Sequence, residues 1–223
     1  MQHFSPDFAQ FFKDLAAHND RDWFHANKKR YELSVKKPFE AFVQELIDLL
    51  RTVDKEVDIA PKDAIFRIHR DTRFSTDKTP YKLNASAMIS AGGKADHLRP
   101  GMYVELGPEK LAVYGGIYMP DKDQLAAIRS HIAAHMRKFD ALLDHTDFKR
   151  VYGTVHGERN KVLPKELKDA AARQPLLFNK SFYFYAHLPA EDLTRPDLAR
   201  TMFDMHLAGR PMADFLYQPL AKR

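Results

Sequence analysis

Between Ile65 and Lys82 the chain reads I-F-R-I-H-R-D-T-R-F-S-T-D-K-T-P-Y-K. Five cations (Arg67, Arg70, Arg73, Lys78, Lys82) stand there against two carboxylates (Asp71, Asp77), a net +3. The whole 223-residue chain carries a formal +5, so much of the excess sits in this stretch. A guanidinium donates two parallel hydrogen bonds in a planar fork that matches a phosphate or carboxylate. Arg67, Arg70 and Arg73, with Lys78, Tyr81 and Lys82 beyond a turn, are therefore candidate contacts to a small anionic, phosphate-bearing ligand. Asp71, lying between arginines, can orient one of them, act as a base or hold a metal. His69 is a candidate general base or anion donor. Asp71 and His69 are thus the catalytic candidates, and no reaction is assigned. Two other readings fit the same residues. A nucleic-acid backbone would take the same cations, the less favoured partner, and Asp71 and Asp77 could bind Arg70 and Arg73 in a purely structural ion-pair network.

The elements that must position these residues follow from periodicity. Phe66 and Ile68 alternate with charges, which predicts a strand over 64–74. Arg67, His69, Asp71 and Arg73 then share one face, and Arg70 lies opposite, between Ile68 and Phe74. Phe66, Ile68 and Phe74 should seek a core. Ser75–Pro80 is a polar turn and Leu83–Ser90 a second strand. Met102–Leu106 and Lys110–Met119 form a hairpin around Gly107-Pro108-Glu109. Gly115-Gly116 marks a bulge or a close backbone approach. Ser181–Leu188 alternates Phe182, Phe184, Ala186 and Leu188 with Tyr183, Tyr185 and His187.

Helices flank these strands. Ser5-Pro6-Asp7 starts one carrying Phe8, Phe11, Phe12 and Leu15, and Asn19–Asp22 caps another with Trp23 and Phe24. Pro38 restarts a helix whose stripe is Phe39, Phe42, Val43, Leu46, Ile47 and Leu50. Pro120-Asp121 opens a long helix. Phe148–His156 has no clear period, a strand being the nearest match. Leu198, Met202 and Met205 carry a helix to Gly209, and Pro211 begins a last short one. The pattern is α+β: a single domain over 1–223, with a mainly antiparallel sheet of about five strands and helices packed on it.

Other chemistry is weak or excluded. His131 and His135 have the i, i+4 spacing of a metal pair, but the Glu of H-E-x-x-H is missing and solvated or half-buried histidines fit better, so no metal is assigned. Neither Gly92-Gly93-Lys94 nor Gly115-Gly116 fits a phosphate loop, and no cofactor is identified. Tyr183 and Tyr185 can stack bases, although a packed face under a helix is the preferred reading. The chain has no Cys, which removes disulfides and thiol nucleophiles. Hydrophobic residues make up 44 % and charged residues 29 %, values of a folded soluble protein. The pI of about 9.2 permits phosphate-bearing partners without demanding one. The first residues carry no signal-peptide pattern and no apolar run approaches a membrane span, so the expectation is a cytoplasmic protein with no membrane partner.

The motif also carries a resemblance. Arg67, Arg70, Asp71, Arg73 and Phe74, followed by Asp77, Lys78 and Tyr81, match the R-x-x-R-D-x-R-F and D/N-K-x-x-Y runs of a bacterial and fungal family called domain of unknown function 2461. Asn19-Asp20-Arg21-Asp22-Trp23-Phe24 is similar to that family's N-N-x-R-E-W-F segment. Gly115–Pro120 is similar to its G-G-x-x-x-P, and the likeness is weakest between His156 and Pro175. The resemblance implies a family and adds no activity.

Overall fold

The computed structural model describes residues 1–96 and 98–221. Its helices, in chain order, are α1 (Pro6–Ala17), α2 (Arg21–Ala26), α3 (Lys28–Tyr31), α4 (Lys37–Val53), α5 (Pro61–Ala64), α6 (Lys122–Ala134), α7 (Met136–Leu143), α8 (Thr146–Tyr152), α9 (Lys168–Arg173) and α10 (Leu198–Tyr217). The strands are β1 (Ala85–Ile89), β2 (Met102–Leu106), β3 (Lys110–Ile117) and β4 (Phe182–Pro189), in one antiparallel sheet of order β1-β2-β3-β4. The α+β class stands, with four strands where about five were expected. By contacts the chain divides into two compact units. One comprises Met1–Ala95, Tyr103–Val113 and His187–Phe203, the other Asp96–Met102, Tyr114–Ala186 and Asp204–Arg223.

In the first unit the core is aromatic and helical. Phe8, Phe11, Phe12 and Leu15 of α1 and Phe39, Phe42, Val43, Leu46, Ile47 and Leu50 of α4 are buried, as their spacing requires. Trp23, whose apolar ring and helical spacing predict a core position, is only half-buried, lying against Phe11 and His18. Arg30 clamps α1. Its Nε and Nη2 fork the Asp7 carboxylate at 3.1 and 2.5 Å, and its Nη1 donates to Asp14 at 2.7 Å. Pro38 stands in the first turn of α4, where a helix start is expected. α3 runs into α4 through a π-helical turn, Glu32–Lys36, in which the Lys37 N–H reaches back to the Glu32 carbonyl. The Pro38 ring would crowd the carbonyl four residues before it, and the wider turn relieves that contact.

The expected strand over 64–74 does not form. Only two antiparallel bridges hold this segment, Ile65 with Ala87 and His69 with Tyr81. Four residues separate the first pair of positions (69 − 65) and six the second (87 − 81), so two extra residues break the ladder between the bridges. Alternation survives as far as Arg70: Ile68 is buried and Phe66 half-buried, whereas Arg67 and His69 are exposed. Phe74 is 95 % exposed rather than in the core, because the chain has by then left the ladder for a turn.

The second unit is built on Phe184. Its ring packs edge-on against Phe148 and Tyr152, with centroids 5.1 and 4.7 Å away. Two glycines make room for it. A Cβ at Gly115 of β3 would lie 2.6 Å from the ring, and one at Gly209 of α10 would lie 2.4 Å from it. Gly115 is thus the close approach that the sequence marks. Phe148 itself lies on α8, which corrects the strand reading of 148–156; only His156 bridges β4, at Tyr183. Pro211 likewise lies inside α10 rather than starting a helix, and the Tyr152 hydroxyl donates to the Met205 carbonyl of that helix at 2.7 Å. At the start of α6, Asp121 and Gln124 exchange backbone bonds at 2.8 Å each, closing a capping box.

Two measurements follow. Helix propensity alone would make Gly209→Ala stabilising by about 1 kcal/mol. Overlap with a ring already held by Gly115 opposes it, and the net should be a loss of about 1–3 kcal/mol in urea unfolding, relieved by adding Phe184→Leu. The second is acid unfolding. The hydrogen bond from Arg30 holds the Asp7 carboxyl below its usual range. The stability this contributes is present above the unfolded carboxyl pKa near about 4 and is lost as pH falls through the lower folded value. Arg30→Gln should flatten the acid limb below about pH 4 and meet the wild type once both states are protonated.

Candidate functional site

Residues 65–70 and 80–86 form an arm whose tip is the loop 71–79. Backbone bonds cross it at Arg70 N–H to Pro80 O (2.9 Å), Lys82 N–H to Ile68 O (2.8 Å) and Phe66 N–H to Ser86 O (3.0 Å). The tip is fastened by its own side chains. Asp71 accepts from the Arg73 amide at 3.2 Å, Asp77 accepts from the Thr79 amide at 2.9 Å, and Lys78 Nζ donates to the Thr72 carbonyl at 2.9 Å. These are the local aspartate turns that compete with strand pairing.

The candidate residues separate into two groups. Arg73 is taken: its Nε and Nη2 fork Asp71 at 3.0 and 2.7 Å. Arg70 is taken as well, donating to Asp77 at 2.5 Å and to the Thr79 hydroxyl. Bonds from Arg73 hold the Asp71 carboxyl down at about 2, and bonds from Thr79 and Arg70 do the same for Asp77. A carboxylate so held is a weak base, and the Asp71 oxygens are engaged by Arg73. The second group is Arg67 and Lys82. Among the described residues neither has a hydrogen-bonded or ion-paired partner. Lys82 Nζ lies over the Phe66 ring, 5.3 Å from its centroid. Burial, and then the charge of Arg67, push the Lys82 ammonium below its usual pKa, with Glu105 acting the other way.

Tyr81 is the pivot. Asn19, between α1 and α2, donates Nδ2–H to the Tyr81 carbonyl at 3.0 Å and accepts from the Tyr81 amide at 3.1 Å. Phe24 of α2 stacks on the Tyr81 ring at 4.1 Å, and the exposed His69 ring lies 5.1 Å from it on the arm. Arg21 is close enough for its charge to act on the Tyr81 hydroxyl. Asn19, Arg21 and Phe24 were not read as site residues. The signal was their membership of a second signature segment, and the fold brings the two segments together at Tyr81.

One recess near the arm lies away from its cations. A recess of about 20 Å³, room for about one water, lies among Phe12, Tyr31, Val35, Phe39, Ile65 and Ile68, and none of Arg67, Arg70, Arg73 or Lys78 lines it. Elsewhere, His131 packs on Phe215 and His135, at 4.6 and 4.5 Å. No group of three or more His, Asp or Glu able to hold a metal occurs among the described residues. Tyr183 and Tyr185 are half-buried, with His156 4.8 Å from Tyr185 and Tyr118 5.6 Å from Tyr183. No described helix is long and apolar enough to cross a membrane.

The Asn19 pairing can be tested directly. Asn19→Ala strands both polar groups of Tyr81 and should cost about 1–3 kcal/mol in urea unfolding. Amide exchange at Tyr81 should quicken more than exchange in α4; equal protection in the two proteins would show that the arm holds itself.

Comparison with curated proteins gives no match. The family model described as "Conserved hypothetical protein (DUF2461)" matches residues 7–215, nearly the whole chain, including the arm and the Asn19–Phe24 segment that grips it. The chain belongs to the DUF2461 family.

Proposed function

We propose that the chain binds a phosphate-bearing anion on the outer face of the arm. The observation that carries this is the pair Arg67 and Lys82: two cations close enough to oppose each other's charge, neither bonded to a carboxylate. Glu105 opposes that repulsion through its charge alone, without bonding Lys82, and an anion would add a hydrogen-bonded counter-charge. Arg21 and the exposed His69, both beside Tyr81, and Lys78 at the tip add donors. Arg70 and Arg73 serve this surface indirectly, by fixing the tip through Asp77 and Asp71. Binding is the proposed activity; a weakly basic Asp71 gives no independent support to catalysis.

The test is a thermal-shift titration with inorganic phosphate, pyrophosphate and tripolyphosphate. A ligand at about ten times its Kd stabilises by about 1.4 kcal/mol, which is about 3–6 °C for a chain of this size. Wild type should show such a rise with at least one of the three. The Arg67→Gln, Lys82→Gln double variant should lose it while its unliganded Tm stays level or rises, since a repulsion is removed. Arg73→Lys, at an exposed pair, should leave the unliganded Tm unchanged. A double variant that responds like the wild type would sink the proposal.

A further inference from the structure

The loop tip carries a side chain that phosphate binding does not explain. Phe74 is 95 % exposed. An isolated apolar side chain on a surface needs no explanation, but this one is backed by a cation in a defined place. The Arg73 guanidinium lies 5.8 Å from the Phe74 ring centroid, and Asp71 holds that guanidinium by a two-point fork at 3.0 and 2.7 Å. Ring and guanidinium together form an aromatic and cationic surface at the end of a pinned turn. Lys78 stands in the same turn, its ammonium on the Thr72 carbonyl, and Arg67 and Lys82 follow nearer the base of the arm.

Resting on the reading of the arm as a phosphate-binding surface, we infer that its ligand is single-stranded nucleic acid, with a base stacked on Phe74 and the backbone phosphates on Lys78, Arg67 and Lys82. Every base has a π-face, so a single exposed aromatic takes any of them, and arginine beside the ring extends the stack. The two carboxylates of the tip are occupied by Arg73 and Arg70, which leaves Lys78, Arg67 and Lys82 as the cations a backbone meets, with the charge of Glu105 opposing Lys82. The open form of the tip favours a strand over a free nucleotide. A small ligand is held by enclosure, whereas a strand makes contacts in series along an exposed surface.

The experiment measures binding of a fluorescently labelled oligothymidylate of about a dozen nucleotides, with tripolyphosphate as the ligand that lacks bases. The wild type should bind the oligonucleotide, more weakly as salt rises. Phe74→Ala should weaken that binding roughly five- to a hundredfold, leave tripolyphosphate binding unchanged, and be rescued by Phe74→Tyr. The exposure of Phe74 means that these variants should keep the wild-type Tm. An oligonucleotide affinity untouched by Phe74→Ala overturns the inference. So does a wild type that binds tripolyphosphate and not the oligonucleotide, an outcome in which the phosphate reading survives alone. Failure of both ligands to bind removes both readings and leaves Phe74 to a protein partner.

Discussion

One carboxamide decides whether the arm is a defined surface or a loose loop. The arm has two isolated bridges in place of a ladder, so its own backbone bonds cannot fix it as a sheet strand is fixed. Asn19 supplies what is missing by satisfying both backbone groups of Tyr81 from outside, and the Phe24 ring then closes on the Tyr81 ring. Asn19 follows α1, whose inner face is buried, and α2 carries Phe24. The placement of the cations therefore goes back through Tyr81 to the aromatic core of the N-terminal helices.

The electrostatics of the arm divide by partner rather than by residue type. Three arginines lie within seven positions, yet Arg73 forks Asp71, Arg70 spends one nitrogen on Asp77 and Thr79, and Arg67, among the described residues, bonds to no carboxylate. Exposed ion pairs of this kind add little to global stability. Their effect is conformational, holding a turn in which Arg73 stays on Phe74 and Asp77 stays on Thr79.

Much of this was legible in the sequence, and the failures have physical causes. The buried stripes of α1 and α4 and the alternation of β4 follow from side-chain period, and the β2–β3 hairpin from the turn at Gly107-Pro108-Glu109. The motif was legible as a concentration of charge, and its partners were not, because pairing of Arg73 with Asp71 depends on a turn that breaks the strand pattern carrying both. The two-residue mismatch between Ile65–His69 and Tyr81–Ala87 has no local signature, so 64–74 passed for a strand and Phe74 for core. Proline misled once: Pro38 stands in the first turn of α4 as its position suggests, whereas Pro211 sits inside a helix that continues past it, with Tyr152 bonded to a carbonyl nearby.

The wider turn has a consequence for how the chain tolerates changes of length. Tyr31, Val35 and Phe39 all line the same small recess, at spacings of four and four. In an unbroken α-helix, at about 100° per residue, eight residues would carry Phe39 about 80° past Tyr31. The π-helical turn at Glu32–Lys36 absorbs that excess and keeps the three in line. Removing one residue there would leave Tyr31 and Phe39 seven apart, about 20° short of two full turns, and still on one face. The turn thus behaves as one extra residue taken up in place: a shortened rod would keep its inner face, so a one-residue deletion at this point should leave the core seated.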